Sequence, residues 1–147
     1  AGWKFAEYEM KGVPLRLELG EKEYAAEKLR VVRRDTGEKL DIAWSEAATA
    51  IPALLDEIQQ NLYNRALQFR LANTHKAENL EEFKKLLDEK GGFIEVFFAG
   101  SKEDEKAIKE ATGATPRCFP FAHSEERGKC FYTGKENARK AIFAKAY

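Results

Sequence analysis

The stretch PALLDEIQQNLYNRALQF, residues 52–69, decides how the rest of the chain divides. Leu55, Ile58, Leu62, Ala66 and Phe69 recur every three or four residues, with charged and amide side chains between them. That is the period of one apolar stripe on an α-helix. Pro52 suits a first helical turn, where a missing N–H costs nothing. The pattern predicts a long connecting helix over 49–72.

On the amino-terminal side, Val13, Leu15, Leu17 and Leu19 alternate with Pro14, Arg16 and Glu18, the period of a half-buried strand. Leu29 to Val32 and Leu40 with Ile42 read as two further strands around Asp35-Thr36-Gly37, whose residues suit a tight turn. The segment Glu21 to Lys28 between them has room for a short helix. The chain starts Ala-Gly-Trp-Lys-Phe without a capping signature, and we read that start as a truncation.

On the carboxyl-terminal side, the polar run Asn73 to Asn79 breaks the helical period and places a domain boundary near residue 72. Leu80, Phe83, Leu86 and Leu87 mark a second helix that stops at Gly91-Gly92. Beyond it the pattern predicts a strand at Phe93 to Phe98 and a helix from the N-cap Ser101 to Ala111. A strand at Thr115 to Phe121, a polar loop, a hairpin around Gly134 and a last strand ending at Tyr147 complete it. The expected fold class is α/β (α+β): a mixed sheet with helices over 1–48, the connecting helix, and a small α/β module over 73–147.

Composition narrows the functional classes. With 147 residues, 44% of them hydrophobic, the chain can bury one ordinary core or two small ones. Basic and acidic residues stand at 25 each, so any nucleic-acid binding must come from a local surface. The apolar run Phe93 to Ala99 is far below the roughly 20 residues that span a bilayer, so no membrane partner is expected. Two cysteines, Cys118 and Cys130, favour a reducing, cytoplasmic setting over a disulfide framework.

No catalytic constellation stands out. The glycines never take a phosphate-loop or dinucleotide spacing. His75 and His123 lie in polar segments as expected surface histidines, and paired carboxylates such as Glu81-Glu82 read as solvated charge. Cys130-Phe131-Tyr132-Thr133-Gly134 has the outline of a Cys-x-x-Cys-Gly knuckle, in which two thiolates face one zinc ion, but its second thiol is missing. Cys118 reads as a core cysteine.

The run Gly2 to Arg16, GWKFAEYEMKGVPLR, resembles the anticodon-binding domain of prolyl-tRNA synthetases. Val32-Arg33-Arg34-Asp35-Thr36, Ile58-Gln59-Gln60-Asn61-Leu62-Tyr63, Gly113 to Phe121 and Phe143-Ala144-Lys145-Ala146-Tyr147 match in the same order. The appended module is similar to that of the archaeal and eukaryotic type, which some bacteria also carry. The resemblance implies that residues 1–48 are the remainder of an anticodon-binding domain and 73–147 a C-terminal synthetase domain. It also implies that an earlier strand and helix precede this segment.

By position in the motif, Glu9, Arg16 and Lys22 look like the family's anticodon-base contacts, with Lys11, Arg34 and Lys39 as backbone or neighbouring contacts. A carboxylate can accept from a guanine Watson–Crick edge and cationic side chains can donate to its carbonyl or to phosphate, once the base is unstacked. Proline anticodons end in GG. Trp3, Phe5 and Tyr8 are expected in packing roles instead.

In relatives that bind zinc here, four cysteines form the site. The matching positions are Ala99, Asp104, Cys130 and Thr133, so a degenerate site without zinc is expected, and the phenylalanines 93, 97, 98, 119, 121 and 131 would hold the module by burial. The resemblance further implies that the full enzyme uses ATP and magnesium to join proline to tRNA. It also implies a homodimer in the cytoplasm, with Tyr147 lying back against the catalytic domain. The partners expected of this segment are the anticodon stem–loop of the proline tRNA and that catalytic domain. A free-standing protein-interaction module derived from the synthetase tail is the alternative reading.

Overall fold

The computed structural model describes residues 2–145 and divides them into two compact units, split between Leu67 and Gln68. Expectations for Tyr147 fall outside the described residues.

The first unit opens with helix α1 (Gly2–Met10), which the strand and helix periods of the sequence do not announce. A stop signal is nevertheless there to be read. Gly12 takes a positive φ of 84°, its N–H donates to the carbonyl of Glu9 and that of Val13 to Tyr8, and Pro14 follows. Glycine in the left-handed region just past a helix, then proline, is a common way for helices to end. Strand β1 (Leu15–Glu18) comes next, then helix α2 (Glu21–Ala25), strand β2 (Lys28–Arg33) and strand β3 (Lys39–Ala43). The three strands pair antiparallel in the order β1-β2-β3.

Register sorts the side chains. Leu15, Leu29, Val31, Leu40 and Ile42 pack with Ala50 and Leu54 of helix α3 in a small apolar cluster. Opposed residues Arg16, Val32 and Lys39 share one row of the other face, and Glu18, Arg30 and Asp41 share the next.

Helix α3 runs Trp44–Ala72 and begins immediately after β3, before the expected start at 49. Pro52 therefore lies roughly two turns inside the helix, not in its first turn. Trp44 anchors the start of the helix: its backbone N–H donates to the carbonyl of Glu27 and its indole to the carbonyl of Lys28. Ala47, Ala48 and Ala50 then extend it, and their high propensity tolerates the hydrogen bond lost at Pro52.

The second unit is a sheet ordered β4-β5-β8-β6, with β7 also pairing β8. It comprises β4 (Thr74–Lys76), α4 (Leu80–Glu89), β5 (Phe93–Phe98), α5 (Lys102–Thr112), β6 (Ala114–Cys118), β7 (Arg127–Gly128) and β8 (Ala138–Lys145). Strand β4 pairs parallel to β5, and β5, β6 and β7 each pair antiparallel to β8. Strand β4, with His75 in it, occupies a segment whose sequence reads as a loop, because three polar residues on a sheet edge carry no apolar period. Gly92, at φ 74°, lets this pairing form, since a Cβ there would stand 2.3 Å from the carbonyl oxygen of Asn73. Asn79 caps α4 and Ser101 caps α5 reciprocally with Asp104.

The core of this unit is aromatic, but not as expected. Phe83, Phe98, Phe131 and Phe143 stack at centroid separations of 4.8 to 6.1 Å among buried Ile94, Val96 and Ile108. Phe93 and Phe119 are exposed, and Phe121 is 97% exposed. Strand β6 ends at Cys118 with a register shift after Pro116, so Phe119-Pro120-Phe121 leaves the sheet rather than extending it. Cys118 is correspondingly exposed, not a core residue.

Candidate functional site

Helix α1 and strand β1 lie side by side across a surface cleft of about 350 Å³. The turn at Gly12 brings Glu9, at the end of the helix, against Arg16, one residue into the strand. Arg16 Nη1 donates to Glu9 Oε1, and Arg16 Nε donates to Glu18 Oε1 at 2.8 Å. The Phe5 ring centroid is 4.0 Å from the guanidinium carbon, within cation–π range. The Arg16 side chain is 23% exposed, and its two carboxylate partners, Glu18 first, raise its affinity for its proton. Glu9 Oε2 and Arg16 Nη2 have no hydrogen-bond partner among the described residues.

Of the six residues singled out in the sequence, the structure joins Glu9 directly to Arg16. Lys39 stands in the same cross-strand row as Arg16, two strands or roughly 10 Å away. Lys11 pairs with Glu7 along α1 at 2.7 Å. Lys22 on α2 and Arg34 after β2 are exposed, and the Arg34 N–H donates to the carbonyl of Pro14 at 3.0 Å. Sequence reasoning missed Glu18, which carries no motif signal beyond its place two residues after Arg16 on the same strand face. It also set Trp3, Phe5 and Tyr8 aside as packing residues. Phe5 underlies Arg16, whereas Tyr8, at the cleft, is 53% exposed and Trp3 is more exposed still.

The four positions of the degenerate metal site form a different arrangement. Cys130 Sγ accepts from the backbone N–H of Ala99 and of Thr133, each at 3.4 Å. Burial pushes the Cys130 thiol up, but hydrogen bonds from Thr133 and from the backbone at Thr133, Ala99 and Tyr132 outweigh it and leave the thiol below its ordinary value. Asp104 faces its own helix terminus, accepting from the Ser101 N–H at 2.8 Å. Among the described residues no three His, Cys, Asp or Glu side chains converge on a metal position. No described helix is long and apolar enough to cross a membrane.

Residues 1–54 match the anticodon-binding domain family and residues 80–147 match the family described as prolyl-tRNA synthetase, C-terminal. The chain is 42% identical over 146 residues to proline–tRNA ligase of Amoebophilus asiaticus, covering 99% of this chain and 30% of that protein. It is 44% identical to a proline–tRNA ligase 2 of Bacillus cereus and 45% to proline–tRNA ligase of Cytophaga hutchinsonii, over 99% of this chain and 31% and 30% of those proteins. Fold and matches together define a segment of the aminoacyl-tRNA synthetase class. More closely, the chain carries the anticodon-binding and C-terminal domains of proline–tRNA ligases. It spans about 30% of the length of these relatives.

Proposed function

We propose that the α1–β1 cleft reads the anticodon of the proline tRNA, and that the whole protein attaches proline to that tRNA using ATP and magnesium. The observation carrying the reading is the Glu9–Arg16 pair, which presents an acceptor and a donor side by side at the mouth of an apolar cleft. A guanine Watson–Crick edge offers O6 as acceptor beside N1–H and N2–H donors, the complement of Arg16 Nη2 and Glu9 Oε2. Lys22 is a further base contact, and Arg34 and Lys39, with Lys11 once it leaves Glu7, supply positive charge for the backbone around the base.

The archaeal and eukaryotic type, which some bacteria also carry, is the finer assignment, and the appended C-terminal module at residues 80–147 is what supports it. The donor set at the four family metal positions, one thiol with a carboxylate committed to a helix cap, does not fit zinc, which in structural sites takes four ligands. Aromatic packing around Phe83 and Phe143 fills the structural role in its place. A homodimer working in the cytoplasm, with this segment held against a catalytic domain, completes the proposal.

The test is a titration of the chain with an anticodon stem–loop RNA ending its anticodon in GG, beside the same RNA carrying CC. Glu9→Ala and Arg16→Ala are each expected to weaken GG binding roughly tenfold or more, since a specific base contact is worth about 1–3 kcal/mol. Arg34→Ala and Lys39→Ala should weaken binding to both RNAs about equally and flatten its salt dependence. Wild-type affinity in both Glu9→Ala and Arg16→Ala would sink the assignment.

A further inference from the structure

A guanidinium and a carboxylate left to themselves close into a two-pronged pair, with both oxygens and two N–H groups consumed. Glu9 and Arg16 do not do this. Nη1 alone reaches Glu9, because Nε is already given to Glu18 at 2.8 Å and the flat face of the group rests on Phe5 at 4.0 Å. Two anchored nitrogens and a supported plane leave Nη2 with one possible direction.

Glu18 is free to hold Arg16 because its other cationic neighbour is occupied. Arg30 stands opposite Glu18 on β2, but its fork is spent on Asp41 of β3, with Nε to Oδ1 at 2.9 Å and Nη2 to Oδ2 at 3.2 Å. Charges therefore alternate along a path from Glu9 through Arg16 and Glu18 to Arg30 and Asp41. The path ends at the cleft with one free oxygen and one free nitrogen. We propose that Glu18 is a positioning residue for RNA reading: it withholds Arg16 from full pairing with Glu9 and so keeps both groups available to one guanine. This rests on the anticodon reading given above.

Without Glu18, the guanidinium turns on Phe5 and closes onto both oxygens of Glu9, and the base loses both partners together. Strand geometry survives the change, since position 18 tolerates a β-branched residue.

The experiment compares Glu18→Thr, Glu18→Ala and Glu18→Gln with Arg16→Ala. Each is titrated with the GG stem–loop and with the same RNA carrying 2-aminopurine, which lacks O6, in place of one guanine. Folding is checked by circular dichroism. Expected for Glu18→Thr or Glu18→Ala, either sufficing, is a roughly tenfold rise in Kd for GG RNA. The Kd ratio between the two RNAs should fall toward one. Glu18→Gln, whose amide oxygen still accepts from Nε, should stay within about threefold of wild type with its ratio kept. A folded Glu18→Thr or Glu18→Ala with wild-type affinity and ratio, alongside a defective Arg16→Ala, overturns the role of Glu18 and leaves the anticodon reading standing. Wild-type binding by Arg16→Ala overturns the role of Glu18, and joined by wild-type binding in Glu9→Ala it overturns the anticodon reading as well.

Discussion

The side-chain amide of Asn61 donates to Asp35 Oδ2 at 2.6 Å, joining the middle of α3 to the β2–β3 turn across 26 residues of chain. Asp35 also takes both prongs of Arg33, at 3.1 and 3.0 Å, and its carboxylate is 1% exposed. Arg33 reaches on to Glu57 at 3.0 Å, and Arg65 donates to the carbonyl oxygen of Asp35. The motif segments at 32–36 and 58–63 thus meet in one polar network, buried at Asp35 and Arg33 and open at Glu57, that ties the helix to the sheet.

That network should be costly to break. Asn61→Ala removes one partner of a buried acceptor and is expected to cost about 1–3 kcal/mol. Asp35→Ala leaves the buried Arg33 with only Glu57, itself largely exposed, and should cost more, about 3–5 kcal/mol. Urea unfolding checks both against Lys28→Ala, an exposed control. Equal midpoints for all three would show that the network contributes nothing.

Acid should weaken the same unit through the same group. The Arg33 hydrogen bond, with that of Asn61, holds the Asp35 carboxyl down at about 2, against an ordinary 3.8. A depressed folded value means that the unfolded chain binds the proton first, so stability rises with pH in that window. The contribution is complete above about pH 4 and is lost as pH falls toward 2. Wild type and Asp35→Asn compared by urea unfolding at pH 6, 4 and 2.5 should converge toward the lowest pH; a constant difference would contradict it.

In the second unit, Phe83→Ala and Phe143→Ala each remove a fully buried ring from the aromatic cluster and should cost about 3–5 kcal/mol. Phe121→Ala, from the phenylalanine most exposed to water, should change stability by less than about 0.5 kcal/mol. Thermal melts of the three variants distinguish these sites directly, and a large loss at Phe121 would contradict the placement of its loop.

Metal removal should do nothing. A chelator is expected to leave the melting temperature of the chain unchanged, and elemental analysis should find zinc well below one ion per chain. Stoichiometric zinc, or a melting temperature that falls with chelator, would restore a ligand role to Cys130.

The strands β1, β2, β3 and β5, the turn at Asp35-Thr36-Gly37 and the helices α4 and α5 were legible in the sequence, because each declares itself through its own period, caps or turn residues. The start of α3 was not. It depends on Trp44 finding acceptors at Glu27 and Lys28, which no window around Pro52 contains. Strand β4 was hidden for a similar reason, as its pairing is supplied by β5.

The candidate site follows the same division. Motif position alone pointed to Glu9, Arg16, Lys22, Lys11, Arg34 and Lys39, and residue types alone specified donors and acceptors suited to a base. Which of them touch was decided by the fold: the Gly12 turn brings Glu9 to Arg16, and strand pairing puts Lys39 two strands from Arg16 and occupies Arg30 with Asp41, leaving Glu18 for Arg16. Local sequence specifies periodicity and chemistry because those act over a few residues. Contacts between side chains from different elements exist only once register and helix packing have set their directions in space, and here that geometry joins Glu9 to Arg16 while leaving Lys22 and Arg34 on exposed surface.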